Sequence, residues 1–156
     1  MKSLNKFAGL LLPALILSCP ASADAGTVNF AGTVVNTCVI NLTTPGALGM
    51  ATTGTQLSSD NTGGLAASVT VVATGTAPTL QFGAPQLTGP AGSIAGATKM
   101  IGYTSNGGAN QPLTSGTSIY AMTRLLDTLT VKAEADNSSG FATGVYGIAA
   151  TVTCQQ

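Results

Sequence analysis

The sequence predicts an all-β protein, and three observations lead to this fold class. Apolar and polar side chains alternate over many short runs, Gly, Pro, Asn and Ser separate these runs, and no segment beyond residue 26 keeps a helical period for more than a turn or two. The runs share about 130 residues, a length that suits one domain with a real core and is too short for two. We therefore expect a single β domain.

The first 23 residues have the features of a secretory signal peptide. Two lysines precede an apolar run over residues 7–17, and the small residues at 21–23 fit a cleavage site, so that the exported chain would start near residue 24 or 26. The alternative is a lipoprotein signal in which Cys19 is the lipid-modified residue. The residues on either side of Cys19, however, are poorly suited to lipoprotein processing. The apolar run is well short of the ~20 residues that cross a bilayer, so we expect no membrane span.

The charge of the chain excludes some partners. Without the predicted signal peptide, three basic minus five acidic side chains give a net charge of −2, which favours neither nucleic acid nor an anionic membrane. Only 6% of all residues are charged, whereas globular proteins average about 25%. A weakly charged surface rich in Gly, Ala, Thr and Ser suits a protein that is largely covered by copies of itself.

The predicted strands follow one another along the chain. The first alternating run is GTVNFAGTVVNTC, residues 26–38, and its parity continues to Leu42. KMIGYTSNGGANQPLTSGTSIYAM, residues 99–122, is predicted as a strand, an Asn-Gly turn and further strands. Alternate positions face inward in four other runs, at residues 65–73, 80–82, 129–135 and 146–154, and Pro78, Pro85 and Pro90 bound the second of these.

Six or seven strands of this length favour an immunoglobulin-like sandwich, in which two sheets bury alternate residues between them. The run YGIAATVTC, residues 146–154, has no later strand in the sequence to pair with its outer edge. Unpaired backbone on a central strand is unfavourable to bury and prone to aggregate in water. We therefore expect a sandwich that lacks its final strand.

Three stretches resemble pilins of the chaperone-usher type. GTVNFAGTVVNTC resembles the N-terminal extension of pilins, with alternating apolar residues, a glycine at one inward position and a cysteine soon after. MIGYTSNGGANQPLTSGT resembles their central hairpin, and LTVKAEADNSSGFATGVYGIAATVTC resembles their last two strands and closing loop. In that family an immunoglobulin-like domain lacks its final strand, and the N-terminal strand of a neighbour fills the gap.

The resemblance implies a structural subunit of a surface fimbria, or pilus, that assembles by donor-strand exchange and serves adhesion or biofilm formation. The implied partners are copies of the chain or related pilins, a periplasmic chaperone, an outer-membrane usher, and a host or surface glycan. The subunit would pass through the periplasm and end on the cell surface or outside the cell. No cofactor is implied.

The resemblance also assigns roles to segments and residues. Residues 1–23 are the signal peptide, 24–37 the donor-strand extension and 38–156 the pilin-like sandwich domain. A donated strand gains affinity from main-chain hydrogen bonds and specificity from alternate side chains that enter pockets. The donor positions are Val28, Phe30, Gly32 and Val34, with Gly32 where two backbones approach closely. The acceptor groove is formed by Leu129, Val131, Ile148, Ala150 and Val152.

The alternative function is a self-complemented monomer, either a secreted adhesin or a carbohydrate-binding β-sandwich, whose first run belongs to its own sheet. Tyr103, Tyr120 and Tyr146 are then candidates for contacts with sugar, although burial is the commoner role of tyrosine. Donated strands would give ladders of oligomers under non-denaturing conditions, whereas a self-complemented domain would stay monomeric.

The cysteines depart from the pilin pattern. Pilins pair the early cysteine with one on the next strand, but the next predicted strand here has none, and the chain ends TVTCQQ where pilins place a tyrosine. Cys38 therefore bonds Cys154, another chain or nothing. Both side chains face inward by parity and exported cysteines are usually paired, so we predict one bridge within the chain. Closing a loop of about 117 residues would stabilise the fold by roughly 4–5 kcal/mol in the chain-entropy model.

The sequence gives little support to catalysis, and we predict a protein that is not an enzyme. It contains no histidine, which removes a serine–histidine–aspartate triad, a cysteine–histidine pair and the commonest zinc ligand. Glu134 and Asp136 form an acid pair of the kind that glycosidases use. They share the outward parity of one strand with Lys132, however, which favours a solvated face. Asp60, Asp127 and Asp136 are too scattered along the chain to suggest a calcium site.

Overall fold

A computed structural model describes residues 29–156. The predicted signal peptide and the first donor position, Val28, lie outside the described residues. Residues 33–156 form one compact unit, to which residues 29–32 do not belong.

The described residues are mostly β-strand, which confirms the all-β class. The strands are β1 (Thr37–Thr44), β2 (Gly49–Met50), β3 (Gln56–Ser58), β4 (Ala67–Thr74), β5 (Thr79–Phe82), β6 (Gln86–Thr88), β7 (Thr98–Ser105), β8 (Asn110–Thr114), β9 (Ser118–Ala121), β10 (Leu126–Asp136), β11 (Gly147–Ala149) and β12 (Val152–Gln155). One short helix, α1 (Ala91–Ile94), begins directly after Pro90, in agreement with the absence of longer helical periods from the sequence.

The larger sheet is built around β10, and all its pairs are antiparallel. One edge of β10 pairs first with β4, over Leu126–Val131, and then with β3, over Glu134–Asp136. Its other edge pairs with β7 over Leu129–Asp136. Beyond these strands, β1 pairs with β4, β8 with β7, and β2 with β3. The main order is therefore β1-β4-β10-β7-β8.

The smaller layer consists of two interrupted strands, β5 with β6 and β11 with β12, and of β9. β12 pairs with β5, which also pairs with β9, and β11 pairs with β6. Pro85, which has no N–H to donate, lies between β5 and β6 and helps to break the ladder there. The N–H of Gly83 donates to the carbonyl of Thr151 (2.8 Å), so the two pairs continue one another across the break.

The core lies between the two layers. The side chains of Val71, Leu80, Phe82 and Leu129 are fully buried, and the rings of Phe82 and Tyr103 stack with centroids 4.3 Å apart. Since Phe82 belongs to β5 and Tyr103 to β7, this contact joins the smaller layer to the larger sheet. The alternation predicted for residues 69–73, 80–82 and 129–135 is confirmed by their burial.

Two parts of the predicted strand pattern need correction. The last run, residues 146–154, is two strands rather than one, because the ladder breaks at Ala150 and Thr151. Leu65 was expected to face inward but is exposed, since β4 begins only at Ala67 and a single bridge to Ala47 holds Leu65 outside the strand. The hairpin predicted around Asn106 and Gly107 is confirmed as β7 and β8.

Candidate functional site

An apolar groove separates the first strand from the last two. Its walls are Ile40 and Leu42 on β1, and Ile148 on β11, Val152 on β12 and Ala150 between these two strands. Core residues such as Val69, Phe82 and Val131 form its floor, its volume is about 570 Å³, and none of its lining residues carries a charge. The cavity between these wall and floor residues is called the groove below.

The pairing of the strands explains why a groove forms here. β1 pairs with β4 along one edge, and β12 pairs with β5 along one edge. Among residues 29–156 no strand pairs with the other edge of either. The side chains of Ile148, Ala150 and Val152 still point toward the core, as their parity predicts, but each is only half-buried.

The structure brings together most of the predicted acceptor residues. Val131, Ile148, Ala150 and Val152 line the groove. Leu129, two residues before Val131 on β10, does not, because it is fully buried in the core. The sequence pattern assigned Leu129 and Val131 to one face of a strand correctly, but it could not tell which of the two the opposite layer covers.

Sequence reasoning missed the wall that β1, the loop after it and the segment before β4 contribute. Leu42 shares the parity of the buried Ile40 but is 63% exposed, and Leu65 is 51% exposed. Both line the groove, together with Leu48 and Pro45. Their exposure has one cause: no strand of the described chain covers this part of the groove. The parity that continues along β1 to Leu42 was the available signal for this wall.

A disulfide between Cys38 and Cys154 closes one end of the groove, which confirms the predicted bridge. Their Cα atoms are 6.4 Å apart, and the bond joins β1 directly to β12. Just beyond it, the Nε2 amide of Gln156 donates to the carbonyls of Thr37 (2.9 Å) and Thr74 (3.1 Å). The end of β12 is therefore bound to both β1 and β4.

The predicted donor segment has exposed side chains. Residues 29–36 belong to no strand, and the side chains of Phe30 and Val34 are 94% and 76% exposed. A Cβ placed on Gly32 would meet no atom within 4 Å. Val35, of the opposite parity, is exposed as well.

A buried carboxylate holds the hairpin at the other side of the core. Asp127 is 2% exposed, and its oxygens accept hydrogen bonds from the Tyr120 hydroxyl (2.5 Å) and from the N–H groups of Gly107 (3.0 Å) and Thr128 (2.8 Å). Burial, and then the bond to Asp127, raises the pKa of Tyr120 and keeps its hydroxyl protonated as a donor. Gly107 is required because a Cβ there would collide with both partners. This network has a structural role in joining β9 to the β7–β8 turn.

Of the three tyrosines proposed as a sugar surface, two are neighbours in the core, with ring centroids 6.2 Å apart, and the third lies elsewhere. Tyr103 and Tyr120 are buried in the core. Tyr146 lies at the mouth of the groove, where its hydroxyl donates to the carbonyl of Ala142 (2.7 Å) and its ring meets Phe141 edge-on. They form no common aromatic platform.

The acidic residues lie on the outer face of β10. Lys132 bonds Asp60 at 2.9 Å across exposed surface, and Gln56 donates to Asp136 at 3.2 Å. Partial burial, followed by the neighbouring charge of Asp136, raises the pKa of Glu134. No cavity adjoins this face among those found in the described part of the chain.

Asn137 begins a sequence, Asn-Ser-Ser, that matches the pattern for N-glycosylation. Its side chain is buried, and Nδ2 donates to the carbonyl of Ser93 at 2.7 Å. The Ser93 hydroxyl in turn accepts from the N–H of Ala142 at 2.9 Å. The amide thus fastens the closing loop to α1 and is inaccessible in the folded domain.

Comparison of the chain with protein-family models, with curated proteins and with solved structures gave no match. Within residues 29–156, none of the helices has the length and apolarity needed to cross a membrane. Across that same stretch, no three Cys, Asp or Glu side chains gather closely enough to hold a metal ion.

Proposed function

We propose that this protein is an exported structural subunit that assembles into a surface fibre by donating the segment around Phe30 to the groove of another copy. The observation that carries the proposal is the groove itself: a long, uncharged, apolar channel bordered by two strand edges that are unpaired in the described chain. A strand laid between these edges would satisfy backbone groups and bury the exposed wall residues at once.

The strand order supports an immunoglobulin-like sandwich that lacks one strand. In the constant type, strands A, B, E and D form one sheet, and C, F and G form the other. Here β1, β4, β10 and β7 have the order of A, B, E and D, and β5 with β12 has the order of C and F. The position of G is beside β12, where the groove lies.

The donor segment is supported by its pattern and its exposure. Val28, Phe30, Gly32 and Val34 alternate with small polar or less apolar residues, as a strand with one buried face requires. A Phe that is 94% exposed is unfavourable in water, and burying its ring in a neighbour's groove would contribute roughly 2–3 kcal/mol. The resemblance to chaperone-usher pilins supplies the remaining partners, a periplasmic chaperone and an outer-membrane usher.

The test is a pair of substitutions that separates assembly from folding. Phe30→Asp places an unpaired carboxylate in the groove of the neighbour, at a cost greater than the gain from Phe. Gly32→Val holds two backbones apart. Asn29→Asp adds the same charge as Phe30→Asp on the opposite face and is the matched control. On native gels we expect ladders for the unmodified chain and for Asn29→Asp, and monomers for the other two.

Each monomeric variant should remain oxidised and should bind a peptide of residues 24–37, because the donor segment stabilises the neighbour's domain rather than its own. If Phe30→Asp and Gly32→Val instead lose their own fold and bind no peptide, the segment belongs to its own sandwich. The self-complemented monomeric module would then be the better account.

A further inference from the structure

We propose that the Cys38–Cys154 disulfide acts as a stop at one end of the groove and thereby fixes the length and register of the strand that the groove accepts. This inference rests on the proposed function, since it concerns the same groove. It assigns the bridge a role in specificity beyond stability.

The spacing between strands shows why nothing passes the disulfide. Neighbouring strands lie about 4.8 Å apart, so a strand seated between two others needs them roughly 9.6 Å apart. At the bridge the Cα atoms of Cys38 and Cys154 are only 6.4 Å apart. Beyond the bridge, Gln156 bonds to Thr37 and Thr74 and adds a second closure. Within residues 29–156, the opposite end, near Leu48 and Tyr146, has no such cross-link.

The remaining edge has a definite length. From Tyr146 to Val152 there are seven residues, and all of them except Thr151 line the groove. Four of the seven have the inward parity of the last run: Tyr146, Ile148, Ala150 and Val152. The segment 28–34 is also seven residues long and also has four alternate positions. A strand of this length fits between the open end and the stop in one register. A slip by one residue would turn its apolar face outward, and a slip by two would push a side chain against the bridge.

The stop also determines which end of the donor segment, residues 28–34, lies at the closed end of the groove. The donor's own β1 begins at Thr37, three residues after Val34, and its Cys38 is bridged within the donor's own domain. The donor domain must therefore remain outside the groove, at the end that has no cross-link. Val28 then lies beside the disulfide of the acceptor and Val34 lies near Tyr146.

The test uses three peptides and the unmodified, oxidised full chain. The reference peptide is VNFAGTV, residues 28–34. The second carries Val-Asn before it, VNVNFAGTV, and the third carries Asn-Val after it, VNFAGTVNV, so that the two longer peptides have the same composition. Binding is measured by competition against a fluorescent copy of residues 24–37. The chain's own segment competes equally with all three, so the ratios of dissociation constants are the result.

We expect the C-terminal extension to tighten binding by about tenfold, because its valine reaches apolar surface at the open end near Leu48 and Leu65. The N-terminal extension should change binding by less than about twofold, because its valine meets the closed end. A benzophenone in place of Val28 should cross-link within residues 152–156.

Two results would overturn the stop. One is an N-terminal extension that tightens binding as much as the C-terminal one. The other is a cross-link from position 28 to residues 145–148. Either result would leave strand acceptance itself intact, since the reference peptide would still bind. If none of the three peptides binds, the proposed function fails, and the stop fails with it.

Discussion

The two sides of this sandwich are built from the same alternating pattern, yet they are buried to different extents. Between β4, β10 and β5, side chains such as Val71, Leu80 and Leu129 are fully buried. Between β1 and the last two strands, β11 and β12, residues of equal parity and similar size, such as Ile148 and Val152, remain half-buried. The difference shows that alternation fixes the direction of a side chain, whereas its burial depends on a neighbouring strand.

Removal of the disulfide should have the largest effect, because it is the covalent connection between the two walls of the groove. Cys38→Ala combined with Cys154→Ala frees a loop whose ends are 116 residues apart in sequence. The expected loss is roughly 4–5 kcal/mol of unfolding free energy, which is a large part of the stability of a typical domain. Urea unfolding followed by circular dichroism measures it. A loss below about 1 kcal/mol would mean that the bridge adds little to this fold.

Two alanine substitutions, one on the core side and one on the groove side, compare how much burial on each side contributes to stability. Leu129→Ala removes a fully buried side chain and should cost about 2–5 kcal/mol, whereas Ile148→Ala removes one that is only half-buried and should cost about 1 kcal/mol. The order should reverse for binding of the peptide of residues 24–37, which Ile148→Ala should weaken by about tenfold. Equal losses of stability would show that the groove side is as well packed as the core.

The buried carboxylate offers a test confined to the core side. Tyr120→Phe removes the hydroxyl donor to Asp127 and leaves a buried oxygen without it, at an expected cost of about 1–3 kcal/mol. Tyr103→Phe is the control, because no hydrogen bond of its hydroxyl is found among residues 29–156, and it should change the unfolding free energy by less than about 0.5 kcal/mol. Peptide binding should be unchanged in both. If the two variants lose the same stability, the bond to Asp127 contributes nothing specific.

Glu134, on the outer face of β10, should give the smallest effect. Its pKa is raised by burial and then by Asp136, so the folded state favours the protonated acid. The contribution of protonated Glu134 to the free energy of unfolding is fully present below the pKa that Glu134 has in the unfolded chain. It is lost as pH rises through the higher pKa that Glu134 has in the folded state. Glu134→Gln should therefore be the more stable protein near pH 7, by less than about 1 kcal/mol, and should match the unmodified chain near pH 3. Urea midpoints at the two pH values give the comparison, and a variant that is less stable near pH 7 would contradict the sign.

Much of the strand pattern was readable from the sequence because inward faces repeat with a period of two. The burial of Leu80, Phe82 and Val71, and the pairing of Cys38 with Cys154, follow from that parity. The break of the last run at Ala150 did not, since a gap in a ladder depends on the partner strand and its Pro85 rather than on local alternation. The Asp127 network was also hidden, because its partners are assembled by the turn at Gly107.

The candidate groove was only half predictable for a related reason. Ile148, Ala150 and Val152 were identified because they lie on the last run, which was predicted to be unpaired at one edge, and Val131 because it shares the inward face of the preceding strand. The opposite wall, with Leu42 and Leu65, depends on how β1 and the segment before β4 are placed in three dimensions. No period in the sequence encodes that placement.

The most direct measurement of the central claim is residue-resolved hydrogen exchange in β11 and β12, with and without the peptide of residues 24–37. The account predicts that amides on the outer edge of residues 147–155 exchange rapidly in the oxidised monomer and slow by at least about tenfold when the peptide is bound. Amides of β10, in the closed core, should be slow in both states and serve as the internal reference. Outer-edge amides that are already protected without peptide, or that are unchanged by saturating peptide, would contradict strand acceptance.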